Sequence, residues 1–293
     1  MTGLSYKDNF SRVFDYTGEI EAFVIPKNAT FLHIWAIGAG TNGGAGASRT
    51  AGTAGGGGGG GATGAIVTML IPTRFLPSTL YIVVGKGGGL STDGYTKVML
   101  RRGDTLGVIV ADSLLLANTG STNGGAGSAI AAGSAGGTAG YFLGNNLYAG
   151  LGTLTITAAQ AGSAGGAITG QAGFINSAFS GGMPFSGGAG GAGCTTTDFA
   201  GGSINPTSTA QQQSGITLAG GGSVFGIYDG LNGLQFEEPF TCYGGSGGGS
   251  NNSGTGGKGG DGAIGCGGGG GGAGVTGGAG GRGGNGRVVI TWF

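Results

Sequence analysis

The sequence has 293 residues, 81 of them Gly, and sets 12 Lys and Arg against 12 Asp and Glu for a net charge of zero. Charged residues are 8% of the chain, about a third of the usual share. Zero net charge removes the electrostatic reason to expect nucleic acid or an anionic membrane as a partner, and no run of about 18 apolar residues is present to cross a bilayer. The three Cys, Cys194, Cys242 and Cys266, have no CxxC spacing, so a zinc site is not expected and at most one intrachain disulfide is possible. The first residues carry no apolar core of a signal peptide.

In chain order, a β region comes first. Ile20, Ala22 and Val24 alternate with other residues as a half-buried strand does, and Lys27-Asn28-Ala29 reads as a turn. Thr30-Phe31-Leu32-His33-Ile34-Trp35-Ala36-Ile37 is apolar on both faces and reads as a central strand. A glycine-rich excursion, residues 40–64, follows and includes seven consecutive glycines. The chain returns as strands over 65–72 and 80–85, with two shorter candidates at 95–100 and 106–111. With the closing Val288-Val289-Ile290-Thr291-Trp292, these predict a small antiparallel β-sandwich or jelly roll over residues 1–113, with 40–64 as an insertion. The closing run, 287–293, is expected to return to it, because alone it would expose too much apolar surface.

Residues 114–286 alternate Gly/Ala/Ser tracts with short segments that hold the large side chains, and no fixed repeat of 20–50 residues emerges. The last tract, 244–286, has 26 Gly in 43 residues. A segment without side chains makes no hydrophobic core, so its backbone groups must satisfy one another if it is ordered. Glycine disfavours an α-helix by about 1 kcal/mol per residue and removes the side chains that stabilise strands. What remains is an extended helix of the polyproline-II type, whose N–H and C=O groups point outward to neighbouring helices. Collagen is excluded, since the glycine runs are irregular and only six Pro are present. The expected fold is therefore mainly β with little or no α-helix, plus a glycine-rich body of packed antiparallel polyglycine-II helices. The aromatic segments would cap its faces or sit in the turns.

Catalytic chemistry finds little support. His33 is the sole histidine and lies within a β run, so a Ser/His/Asp set would have to use a residue better explained as structural. Glu237 and Glu238 are adjacent and would point to opposite sides of an extended segment. GxGxxG patterns carry no information at this glycine content, and neither Gly85-Lys86-Gly87 nor Gly257-Lys258-Gly259 continues as a phosphate loop. No catalytic residue, metal or cofactor is expected.

The order Tyr16-Thr17-Gly18, Phe23-Val24-Ile25-Pro26, Leu32-His33-Ile34-Trp35-Ala36-Ile37-Gly38-Ala39-Gly40, poly-Gly and Gly64-Ala65-Ile66-Val67 resembles the glycine-rich domain of phage tail and large-virus proteins. Leu80-Tyr81-Ile82-Val83-Val84-Gly85-Lys86-Gly87-Gly88 and the ending Gly286-Arg287-Val288-Val289-Ile290-Thr291-Trp292-Phe293 extend that resemblance. The central body resembles, in composition and layout, the polyglycine sandwich of tail-fibre adhesins, although here the β region encloses the body. The resemblance implies a non-enzymatic virion structural protein on the particle surface, most simply a fibre-tip attachment protein. Its loop aromatics Phe179, Phe185, Phe225, Tyr228 and Phe236 would then touch a host polysaccharide or surface protein. Other virion proteins or sister subunits are the expected remaining partners, with no nucleic acid and no membrane insertion. The alternative is a purely architectural, capsid-decorating or filament-forming subunit. An ice-binding role would need more threonines in array than Thr153, Thr155 and Thr157 supply.

Overall fold

A computed structural model describes residues 10–102, 113–138, 151–174, 179–180, 183–205, 217–222, 228–237 and 240–293. The fold is mainly β, and the described residues include two short 3-10 turns and no α-helix. In chain order the strands are β1 (Ser11–Phe14), β2 (Glu21–Val24), β3 (Phe31–Ile37), β4 (Ile66–Pro72), β5 (Thr79–Val83), β6 (Thr96–Met99), β7 (Ser113–Ala117) and β8 (Thr153–Thr157). They continue with β9 (Phe179–Ser180), β10 (Met183–Ser186), β11 (Gln235–Glu237), β12 (Phe240–Cys242), β13 (Asn251–Thr255), β14 (Gly274–Thr276) and β15 (Arg287–Trp292).

Strands β1, β15, β3, β4 and β8 form one antiparallel sheet in that order, and β2, β5, β6 and β7 form a second. Alternation puts Leu32, Ile34 and Ala36 of β3 on the same side as Val67, Met69 and Ile71 of β4 and Val288 and Ile290 of β15. That side shares one buried cluster with Phe23, Leu80, Ile82, Val98 and Leu115 of the second sheet. Phe23 stands edge-on to Phe14 at 6.1 Å and lies 5.8 Å from the Trp292 ring, so aromatic contacts cross between the sheets at their open end.

The closing strand lies between β1 and β3, and Asp15 accepts from Arg287 Nε at 2.7 Å and from Nη2 at 3.1 Å. Two strands of these sheets reach beyond the expected β region, and β9 to β14 lie within the stretch expected to be glycine-rich body. Ser113–Ala117 begins at its boundary, and Thr153–Thr157 pairs with β4 although it lies within the stretch read as body. The strict Thr-Leu-Thr-Ile-Thr alternation explains the second, because Leu154 and Ile156 reach the shared core while the threonines face outward. The candidate at 106–111 lies outside the described residues.

From the ends of β3, β4 and β15 the chain enters the glycine tracts. Gly38, Thr41, Gly44 and Ala47 donate their N–H to Ala65, Ala62, Gly59 and Gly56 at 2.8–2.9 Å, every third residue against an antiparallel partner. Gly57, Gly60 and Thr63 donate in another direction, to Gly166, Ser163 and Gln160. Gly58, Gly61 and Gly64 donate in a further one, to Gly271, Gly268 and Gly265, and Gly56 and Gly59 donate to Ser128 and Gly125. The carbonyls of Gly57 and Gly60 accept from Gly133 and Gly136, and those of Gly58 and Gly61 accept from Gly191 and Gly188. Residues 55–65 thus bond to six neighbouring segments. A pleated strand, with its period of two, reaches two. The tract read as an insertion of the β region is therefore surrounded by segments of the body.

Glycine is required here for close approach. A Cβ built on Gly58 would lie 2.1 Å from the Gly44 carbonyl oxygen, and one on Gly270 would lie 2.0 Å from that of Gly58. Left-handed backbone is not the reason, since among the described glycines only Gly18, Gly52, Gly88, Gly170 and Gly265 have positive φ.

Candidate functional site

The hydrogen-bond register gives the glycine body two ends. At the sheet end, Gly64 bonds to Gly265 and Gly38 to Ala65; at the far end, Gly55 bonds to Cys194, Gly56 to Ser128 and Gly274 to Ala47. The chain reverses at that far end through residues 48–54, 129–130, 168–170, 195–198, 251–255 and 275–276. Their exposed residues are mostly small and uncharged: Thr50, Thr53, Thr169, Thr196, Thr197, Ser253, Thr255 and Thr276. Ile130, 85% exposed, and Val275 add apolar points to the same face.

Under this face, one side chain ties three reversals together. The Arg49 guanidinium is buried, donating from Nη2 to Cys194 Sγ at 2.6 Å and to Asn252 Oδ1 at 3.2 Å, from Nε to the same sulfur at 3.2 Å and from Nη1 to the Thr50 carbonyl at 3.1 Å. Asn252 Oδ1 also accepts from Gly52 N–H at 3.0 Å, its Nδ2 donates to the Thr196 carbonyl at 3.0 Å, and its N–H donates to Asp198 Oδ1. Cys194 completes the set by donating to the Ala273 carbonyl at 3.7 Å. Turn residues chosen for their side-chain hydrogen bonding, Asn and Asp above all, thus lock neighbouring loops into one surface. Arg49→Ala is expected to cost about 2–3 kcal/mol through lost charge-assisted bonds and lost stem packing. Denaturant unfolding measures that cost, and amide exchange should accelerate first at Gly52 and Asn252.

Of the five aromatics expected to line the site, the structure describes the side chains of Phe185, Tyr228 and Phe236, and these do not share one surface. Phe185 is 1% exposed and packs with Ile37, Ile66, Cys242 and Cys266 where the body meets the sheets, so it leaves the candidate surface. The reason is local: it alternates with Ser186 at the end of β10, just before a glycine tract that needs an apolar plug at its base. Phe236 is half-buried in β11 at that same end, edge-on to Tyr243 with ring centres 6.4 Å apart. Phe179 lies in β9, beside β10, and its side chain is outside the described residues, as is the whole of Phe225. Of the three whose side chains are described, Tyr228 sits at the far end, half-buried, its carbonyl accepting from Gly249 N–H at 2.7 Å. The signal that points to the far face is the polar cluster between glycine tracts, such as Thr195-Thr196-Thr197-Asp198 and Asn251-Asn252-Ser253, rather than ring content.

Other chemistry-bearing groups lie elsewhere. His33 has its pKa lowered by burial and accepts from Trp35 Nε1 at 3.1 Å through its Nε2, a contact only the neutral ring can make. Cys194, Cys242 and Cys266 are all buried free thiols, and burial, reinforced by the adjacent Cys242, pushes the Cys266 thiol well up. Among the described residues no cluster of His, Cys, Asp and Glu could hold a metal ion. Comparison with known proteins finds no family that matches this chain and no similar curated protein, so the functional reading rests on the geometry of the far face and its support.

Proposed function

We propose that this chain is a non-enzymatic virion structural protein, a fibre-tip or surface attachment protein whose loops bind a receptor on the host surface, either a polysaccharide or a protein. In this reading the two sheets form a β-sandwich that mounts the molecule, and the glycine tracts are polyglycine-II helices packed side by side into a stiff spacer. The three-residue bonding period and the six neighbours of residues 55–65 support the helices, because three residues per turn send successive N–H groups in three directions.

The observation that carries the attachment role is the gathering of six chain reversals at the end opposite the sheets, cross-tied by Arg49 and Asn252. Loops on a rigid scaffold are where recognition is commonly built, and pre-ordered loops lose little freedom on binding. The contact residues proposed are Thr196, Thr197, Ile130 and Val275 with Tyr228 nearby, in place of Phe185 and Phe236. At the other extreme, Phe10, Val24, Phe31, Phe75 and Phe293 are exposed around the open end of the sheets, which suits attachment to other virion proteins or to sister copies. The same apolar end favours the second reading, an architectural subunit.

Particles carrying Thr196→Arg, Thr197→Arg and Val275→Arg separate the two. Attachment predicts adsorption to host cells falling at least about tenfold, the effect of losing roughly 1.4 kcal/mol, with particle yield unchanged. Normal adsorption, or a failure of particle assembly, would move the function to the architectural class.

A further inference from the structure

The loop joining β5 to β6, residues 84–95, leans on the sheet end of the glycine body and leaves a cleft of about 940 Å³ beside it. Gly88 turns the loop with φ 74°, and Gly87 and Gly88 donate to Asn285 Oδ1 at 2.8 Å and to the Gly40 carbonyl at 2.9 Å. Asn42 Oδ1 likewise accepts from Gly283 N–H at 3.0 Å. Both amide oxygens are thereby turned to the backbone, and the amide N–H groups remain for a ligand. Lys86, Asp93, Arg282, Gln235 and Tyr16 complete the polar wall.

The charges are unequal in availability. Asp261 is already engaged: Lys258 Nζ lies 3.0 Å away, and Arg282 N–H donates to it at 2.9 Å. Burial raises its pKa, but those hydrogen bonds and charges outweigh burial and hold it below the usual carboxylate value. Lys86 and Arg282 are exposed and within ion-pair distance of no carboxylate among the described residues, although the Arg282 charge also acts on Asp261, and Asp93 is in no ion pair among those residues. Lys86, Arg282 and the Lys258 that pairs with Asp261 therefore outnumber the carboxylates Asp93 and Asp261 by one positive charge. The volume lies at the upper end of small-molecule sites, about 300–1,000 Å³, and the wall is about half polar where such sites are mostly apolar. A ligand rich in hydroxyls fits those amides, and a Tyr ring offers its face to a sugar.

We infer that this cleft is a second binding site, distinct from the far face, for a saccharide that carries a carboxylate. Arg282 and Lys86 bind the carboxylate, with the guanidinium able to grip both oxygens. Asn42, Asn285 and Gln235 read the ring hydroxyls, and Asp93 accepts from one of them.

The test is calorimetric titration of the full chain with four probes: a tetrasaccharide of alternating glucuronic acid and N-acetylglucosamine, glucuronate alone, the neutral N-acetylglucosamine tetramer, and sodium acetate. The acidic tetrasaccharide is expected to bind at least about tenfold more tightly than the neutral one, and Lys86→Gln or Arg282→Gln to weaken it about tenfold each. Thr196→Arg should leave it unchanged, so this site can stand or fall separately from the proposed attachment face. Glucuronate alone binding as well as the tetrasaccharide would identify a single-residue site; tighter binding of the tetrasaccharide would identify a polysaccharide chain. Equal affinity for acidic and neutral probes, equal affinity for acetate, no binding, or indifference to both variants would each overturn the inference.

Discussion

Gly58→Ala is expected to destabilise the protein by about 3 kcal/mol or more, the upper range of overpacking, despite adding a single methyl group. The new Cβ would sit 2.1 Å from the Gly44 carbonyl oxygen, an approach that real Cβ atoms essentially never show. Relief requires two tracts to separate. Gly58 donates to Gly271 and accepts from Gly191, so the displacement also stretches bonds to segments on other sides. Gly52→Ala is the matched control. Its φ of 77° disfavours a side chain, but nothing lies within 4 Å of the added atom, so the cost should be about 1 kcal/mol from backbone strain alone. Denaturant unfolding of the two variants decides the matter. Equal costs would mean that tract spacing is not what demands glycine.

Phe185→Ala carries the second large expectation, a loss of about 3–5 kcal/mol. The ring is almost wholly enclosed by Ile37, Ile66, Cys242 and Cys266, and neighbours held by β3, β4 and the glycine tracts cannot collapse into the space it leaves. If the proposed attachment role holds, receptor binding per folded molecule should be unchanged, because the site of substitution lies at the sheet end of the body. Thermal unfolding together with adsorption corrected for the folded fraction reads both quantities. A variant with normal stability and lost adsorption would return Phe185 to the recognition surface.

These two substitutions mark how far the sequence could be read. Strands with side-chain alternation were legible: 30–37 and 65–72 lie within a residue of β3 and β4, and Val288 to Trp292 lies inside the first sheet, between β1 and β3. In sequence Thr153–Thr157 reads as part of the glycine-rich body, and pairing with β4 assigns it to the sheet. Aromatic residues were less legible. A ring such as Phe185 or Phe236 between glycine tracts can cover the end of the body or face a partner, and composition treats both cases alike. The far face escaped notice for the converse reason, since Thr, Ser and Asn between glycines read as ordinary turns.

By itself, the amino-acid sequence determined that the protein is mainly β, that its charge is balanced, and that the glycine tracts must satisfy their backbone through one another. Tertiary structure alone decided which tract bonds to which, that residues 40–64 lie among the later tracts, and that six reversals share one end. The physical reason is that backbone amides are the same at every residue. Glycine has no side chain to mark a register or a partner, so the choice is made by the positions where β3, β4 and β15 deliver the chain and by the few Ser, Asn and Cys contacts along the way.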